Sequence, residues 1–476
     1  MTDAPSPTSV ARPGPRGRRR AAIALALLAA AAALAALPTC SPRPAQRHVI
    51  VVLVDTLRRD ALGCYGNADG VTPNLDALAA EGVRFEQAIS TSGWTLPAVA
   101  SLLTGTWPTI HGGMGKGTAV FPIREGLPTA AEWFLERGYR TCAITNATFV
   151  SPYLGFDRGF QLFDHRDAYN IIIRRADETI DAALDFLREH RADPCFVFVH
   201  IFDPHLDYDP PEDYRTRFTR GRELPAAPLS MEACRALQSP AGPPPAPADI
   251  AYVRGVYHGE VAFVDAQIGR LADELRRLGL YDAAAVVVTS DHGEEFWDHG
   301  GFEHGHTLYD ELVHIPLIMK LPAGAPRPAA PVGAQVRIID VLPTLFDLLG
   351  WPAPESFAGV SLLPWLRGER GDDLIAFCES TMYGSDKLAW RDGAHKYIHD
   401  LDPEAEVKYE LYNWREDPGE TVNLFDRDPH LAHRYHQELA RFYEDLKKQA
   451  ARLPPTRLRD LSPQQIESLR SLGYVR

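Results

Sequence analysis

His48-Val49-Ile50-Val51-Val52-Leu53-Val54-Asp55 is an aliphatic run that ends on a single carboxylate. A continuous apolar run of this length reads as a strand covered on both faces, the kind found in parallel sheets. Cys195-Phe196-Val197-Phe198-Val199-His200-Ile201 and Ala285-Val286-Val287-Val288-Thr289-Ser290 read the same way. Helical patterns over Thr72–Glu81, Ala176–His190 and Val256–Leu278 lie between them. Strands alternating with helices predict an α/β fold with right-handed crossovers.

The flanking segments set the organisation. Arg16 and Arg18 to Arg20 precede an uninterrupted apolar run from Ala21 to Leu37, read as a signal peptide or short membrane anchor. Leu37-Pro38-Thr39-Cys40 resembles a bacterial lipoprotein cleavage box, which makes Cys40 a candidate for lipidation. The basic flank predicts that the rest of the chain is exported, periplasmic or otherwise extracytoplasmic, with N-terminal membrane attachment possible. Residues 1–47 are therefore assigned to a targeting segment and linker, and 48–370 to the main domain. The Pro-rich stretch 208–248 is a surface insertion, either a tolerated loop or a substrate lid. Beyond 370, short strand-like pieces at Leu374–Phe377, Leu388–Arg391, Lys396–His399 and Leu411–Trp414 predict a small antiparallel sheet, followed by a helix over Pro429–Arg452. Residues 371–476 form this α+β subdomain.

At 476 residues the chain can hold one large and one smaller unit, and its formal charge of −14 argues against nucleic acid as a partner. None of its six cysteines forms a Cys-x-x-Cys pair, so a zinc knuckle is not expected.

Two strand ends carry the chemistry. Ligands of open α/β sheets bind beyond the carboxyl ends of strands, where Asp55 and Asp291-His292 fall. Either Asp alone reads as an N-cap or turn residue. Together, two carboxylates and an imidazole at one crevice need a cation, and one divalent ion (Ca, Mg, Mn or Zn) supplies it. Thr95 precedes Leu96-Pro97 at the start of an apolar helix. By itself it reads as a helix cap; beside a metal it becomes an activated nucleophile facing the helix dipole.

The surrounding residues match a family. Val54-Asp55-Thr56-Leu57-Arg58-Arg59-Asp60, Thr95-Leu96-Pro97 with Ser101-Leu102-Leu103-Thr104-Gly105, Asp203-Pro204-His205, Ser290-Asp291-His292-Gly293-Glu294 and His306-Thr307-Leu308-Tyr309 stand in an order and spacing that resembles the sulfatases of the alkaline phosphatase superfamily. The resemblance runs from about Val49 to the C-terminus. It implies a three-layer sandwich around a mostly parallel sheet, and a metal site of Asp55, Asp291, His292 and Thr95, with Thr95 also the nucleophile. It implies that His205 contacts the ester or leaving group, and that His306 stands where many sulfatases carry a catalytic lysine. His111 and His304 are candidates to line the pocket.

The departures from that pattern are specific. A sulfatase begins its signature with a Cys or Ser oxidised to formylglycine; Thr95 cannot form that aldehyde. Val99 replaces the signature Arg, Thr56 takes the position of a second ligand, and 138–146 holds no Lys. A formylglycine hydrate releases sulfate by elimination, whereas a Thr ester must be cleaved by attack on the transferred group. The expected activity is therefore hydrolysis of phosphate or sulfate esters of small molecules, glycans or lipids through Thr95. An envelope phosphoryl-group transferase and a catalytically silent glycan- or lipid-binding protein are the alternatives.

Overall fold

A computed structural model describes residues 48–166, 174–219, 221, 229–237 and 245–460, together with 462, 463, 466, 467 and 470. The targeting segment and Cys40 lie outside the described residues. Among the described residues no helix is long and apolar enough to cross a membrane.

The central sheet has eight strands: β1 (Val49–Val54), β2 (Val83–Ile89), β3 (Arg140–Thr145), β4 (Leu162–His165), β5 (Cys195–Ile201), β6 (Ala285–Thr289), β7 (His314–Lys320) and β8 (Val332–Arg337). Their order is β8-β2-β7-β6-β1-β5-β3-β4. Only β7 runs antiparallel, to β6 on one side and β2 on the other. The sheet is thus mostly parallel, as expected from the aliphatic runs.

β1 sits between β6 and β5, pairing Val49 to Leu53 with Ala285 to Thr289 and Val49 to Val54 with Phe196 to Ile201. Its side chains alternate between two separate cores. Val49, Val51 and Leu53 pack with α1 residues Leu96 and Val99 and with Phe196 and Leu317, where α1 is Thr95–Thr104. Ile50, Val52 and Val54 pack with Ile180 and Leu184 of α2 (Ala176–Glu189) and with Val256 and Val264 of α3 (Pro247–Arg277). A strand that feeds both cores must be apolar at every position, which is the pattern that marked it.

The sequence left other strands unread for physical reasons. β2 alternates buried and half-buried positions because charged Arg84 and Glu86 reach its rim. β7 carries Pro316, which cannot donate to a ladder, and the register shifts there between Ile315 and Leu317. α3 starts at Pro247, upstream of the expected Val256, so the end of the 208–248 stretch belongs to a helix. A further short helix, Met231–Ala236, lies inside that stretch and buries Met231 and Cys234. Cys64, Cys142, Cys195, Cys234 and Cys378 are free thiols.

The C-terminal sheet is antiparallel and sequential: β9 (Ala376–Glu379), β10 (Lys387–Arg391), β11 (Lys396–Asp400) and β12 (Tyr409–Tyr412). Helix α4 (Pro429–Ala450) covers it, with Phe442 edge-on to Trp390 and Phe377 at 5.1 and 5.2 Å. Buried charges tie this sheet to the loop entering β7. Asp310 meets Arg391 at 3.0 Å and Lys396 at 2.8 Å, and Lys396 meets Glu420 at 3.0 Å. Burial alone would raise the Asp310 carboxyl, but Arg391 and Lys396 outweigh it and hold it well below the carboxylate range.

Removing one member of such a buried cluster leaves uncompensated charge. Asp310→Asn is expected to lower unfolding free energy by about 3 kcal/mol at pH 7 in a denaturant titration. Because the folded-state value is depressed, the wild type loses this contribution as pH falls below about 4, and the gap to the variant should close there.

Candidate active site

Asp55 leaves β1 fully buried and is followed by Thr56 at φ 54°, a left-handed conformation that a β-branched residue adopts only under constraint. The constraint is visible. Tyr257 of α3 donates to the Thr56 carbonyl at 2.9 Å, the Arg58 amide donates back to the Tyr257 hydroxyl at 2.8 Å, and the Leu57 amide donates to Ser290 Oγ at 3.0 Å. The chain is thereby turned sharply away just after the Asp55 side chain.

Asp291 and His292 follow β6, the neighbour of β1, and both are fully buried. Gly293 lets this turn close: a Cβ there would stand 2.0 Å from the Glu311 carbonyl oxygen. His292 Nδ1 lies 2.9 Å from the Gly293 carbonyl, so Nδ1 carries the proton in the neutral ring and Nε2 offers a lone pair inward. That Nε2 is 3.3 Å from Asp291 Oδ2, 3.6 Å from Asp55 Oδ1 and 3.2 Å from Thr95 Oγ1.

Thr95 does not cap its helix. Trp94 is the N-cap of α1 and Thr95 its first helical residue, so the hydroxyl caps nothing and points to the imidazole. Asp55, Thr95, Asp291 and His292 thus lie together around the His292 Nε2.

Their electrostatics are those of a site short of positive charge. Burial and then Asp55 push the Asp291 carboxyl up to about 6. Burial would also raise Asp55, but His200, His205 and His292 outweigh it and hold Asp55 low. Burial would lower His292, yet Asp291 and Asp55 raise it. Both Asp55 oxygens and Asp291 Oδ2 are buried without a hydrogen bond. Buried polar atoms are ordinarily satisfied, and hard oxygen donors left in this state fit a cation.

Other histidines separate into different environments. His205 lies with its ring 5.0 Å from His304, whose ring is 4.5 Å from that of His292, so both border the cluster. Burial lowers His205 to about 4. His304 Nδ1 is 2.9 Å from Glu294 Oε1, and the Tyr208 hydroxyl donates to Glu294 Oε2 at 3.1 Å. His306 has a different partner: its Nε2 is 2.7 Å from Glu295 Oε2, and this carboxylate keeps the ring above its ordinary value against the effect of burial. His111 does not line the pocket. It is buried beneath α1, 3.0 Å from Ser101 Oγ and accepting from the Gly113 amide at 3.0 Å.

The sequence reading missed His200, Glu294 as a buried partner, and Tyr208. His200 Nε2 is 3.4 Å from Asp55 Oδ2, and ligand atoms of Asp55, His200 and Asp291 all lie within 4.8 Å of one another. The signal was present: His200 is the only ionisable group after Cys195 in the otherwise apolar β5. A polar side chain inside a strand buried on both faces needs a partner.

A carboxyl raised by burial makes the fold less stable as pH rises through its folded-state value. With chelator present, Asp291→Asn is expected to melt above the wild type at pH 7 and level with it near pH 4, as read by thermal unfolding at both pH values.

Comparison with known proteins places the chain in a family. The sulfatase family profile matches residues 47–351, and the profile for the N-sulphoglucosamine sulphohydrolase C-terminal region matches 297–449. The uncharacterized sulfatase YidJ of Escherichia coli (strain K12) is 29% identical over 423 residues, 79% of this chain and 82% of the relative. An arylsulfatase of Clostridium perfringens is 24% identical, over 80% of this chain and 88% of its own length. The phosphonate monoester hydrolase of Agrobacterium radiobacter shares the fold, with a TM-score of 0.68, 23% identity, and coverage of 86% of this chain and 99% of the other. Since the first profile takes in the whole eight-stranded sheet and every residue of the converging cluster, the chain belongs to the sulfatase family.

Proposed function

We propose that this sulfatase-family hydrolase is a metal-dependent enzyme that cleaves phosphate or sulfate esters through Thr95, with phosphoryl esters preferred. The observation that carries the reading is the Thr95 hydroxyl 3.2 Å from His292 Nε2, inside a cluster whose carboxylate oxygens have no hydrogen-bond partner. Asp55, Asp291, His292 and Thr95 would hold the ion. A bound divalent ion would make the hydroxyl more acidic and offset charge on the transferred group.

The residues divide the remaining work. The first turn of α1 directs its amide dipoles at the group attacked by Thr95. His306, whose hold on a proton Glu295 strengthens, is suited to give one to the departing alcohol. His205, whose proton burial removes, is suited to take one from the water that later cleaves the Thr95 ester. Groups whose environments drive their protonation apart are the usual division between acid and base. The preference for phosphorus follows from Thr95 itself, because its ester has no elimination route and must be attacked at the transferred centre. Export of the enzyme is part of the proposal and rests on the segment from Arg16 to Cys40.

Purified protein assayed on an aryl phosphate, an aryl phosphonate monoester and an aryl sulfate is expected to turn over the phosphorus substrates faster and to stop with chelator. Thr95→Ala should cost on the order of 10³-fold or more in kcat. Full activity in that variant would sink the nucleophile; sulfatase activity exceeding the others and lost in it would overturn the phosphoryl preference. His306→Gln should slow alkyl esters by about 10²-fold while sparing aryl esters, whose leaving groups need no proton.

A further inference from the structure

Burial leaves His200 in an unusual state. Its side chain is fully enclosed, yet neither ring nitrogen makes a hydrogen bond. Its backbone is fixed, since β5 pairs with β1 at Leu53↔His200 and the His200 carbonyl accepts from Asn146 Nδ2 at 2.9 Å. Nε2 faces Asp55 Oδ2, the oxygen turned away from His292, at 3.4 Å. A charge-assisted hydrogen bond that merely oriented Asp55 would be about 2.7–2.9 Å long.

The spacing suits a different relation. Ligand bonds to a divalent transition ion are about 2.0–2.2 Å for nitrogen and oxygen donors. At those bond lengths adjacent donors lie roughly 2.8–3.1 Å apart on an octahedron and roughly 3.3–3.6 Å apart on a tetrahedron, and opposite donors on an octahedron roughly 4.0–4.4 Å. The contacts between His200 and Asp55, Asp55 and His292, His292 and Asp291, and His292 and Thr95 are 3.4, 3.6, 3.3 and 3.2 Å. All four fall in or near the range of neighbouring donors on one ion, with His200 meeting Asp55 Oδ2 and His292 meeting Asp55 Oδ1. Ligand atoms of Asp55, His200 and Asp291 lie within 4.8 Å of one another, close enough to be drawn onto one ion by a small adjustment of their side chains.

We propose that His200 is a second nitrogen ligand at this site and that the site accordingly selects a transition ion of the manganese, iron, cobalt or zinc class over calcium or magnesium. The inference rests on the metal-site reading of Asp55, Thr95, Asp291 and His292. Calcium and magnesium favour shells built from oxygen, and calcium also prefers longer bonds. Two imidazoles with two carboxylates suit the borderline ions. Thr56, at the position where a relative would offer an oxygen ligand, is turned into a left-handed conformation with its hydroxyl unbonded, and the nitrogen of His200 enters from the adjacent strand.

The test is pulsed electron paramagnetic resonance on the full chain loaded with Mn²⁺, unlabelled and with ¹⁵N-histidine. Two directly coordinated imidazole nitrogens are expected in the wild type and one each in His200→Gln and His292→Gln. Competition of Mn²⁺ against Ca²⁺ should show at least a 10²-fold preference in the wild type that narrows about tenfold or more in His200→Gln. His200→Asn replaces the Gln variant if circular dichroism shows that the latter does not fold. A single coupled nitrogen in the wild type, lost only with His292, overturns the role of His200 and leaves the metal-site reading standing. A wild type that binds no Mn²⁺, Zn²⁺ or Ca²⁺ overturns both.

Discussion

Asp55 and Asp291 leave adjacent parallel strands and end in the same dry space, and most of the architecture around them follows from that. Two carboxylates without counter-charge in a protein interior cost several kcal/mol. A fold keeps such an arrangement only if other elements hold it in place. Here β1 and β6 are locked in register at the centre of the sheet, and Tyr257 and Ser290 clamp the turn after Asp55. Gly293 permits the close passage of the second turn. Four imidazoles, from His200, His205, His292 and His304, surround the pair. No arginine or lysine side chain forms an ion pair with Asp55 or Asp291 among the described residues, so the charge that balances them must be adjustable or must arrive from outside.

The C-terminal subdomain is connected to this constraint through the loop between β6 and β7 and through the turn before Thr95, where Trp94 Nε1 donates to Ser380 Oγ at 3.2 Å. The chain between β6 and β7 supplies Asp291, His292, Glu294, His304 and His306, and its last turn carries Asp310. Asp310 is fastened to Arg391 and Lys396 on the small sheet, and the same sheet's edge loop meets the site loop where the Met382 amide donates to the Gly305 carbonyl at 2.7 Å. The subdomain thus serves as a second anchor for the loop that carries half of the site. That role explains why four short strands include several fully buried charges, which would be a poor choice for stability alone.

The parts of this design legible in the sequence are those in which one local rule dominates. β1, β5 and β6 announced themselves because strands feeding two cores leave no room for polar residues. Asp55 and Asp291-His292 were legible as the first polar residues after such strands. Thr95 was ambiguous, since capping and catalysis ask for the same hydroxyl, and the position of Trp94 as the cap removes only the capping role. β7 was obscured by Pro316, whose missing N–H is accommodated by a shift in register that no periodicity encodes. His200 and His111 show the opposite limit. Both are histidines in apolar surroundings, and sequence does not distinguish the one facing Asp55 from the one held by Ser101 and the Gly113 amide.

The reversed direction of β7 has a consequence for how the molecule comes together in time. β7 pairs with β6 as well as β2, so the loop between β6 and β7 is held at both ends by the middle of the sheet. The other half of the site arrives from the far end of the chain, as the Leu57 amide bonds to Ser290 across 233 residues. Contacts of such separation form late, after the entropy of closing the long intervening chain has been met. An interaction absent from the folding transition state leaves the folding rate alone and slows unfolding. Anything that neutralises Asp55 and Asp291 would therefore act as a kinetic lock: it would not speed assembly, but it would lengthen the lifetime of a chain already folded.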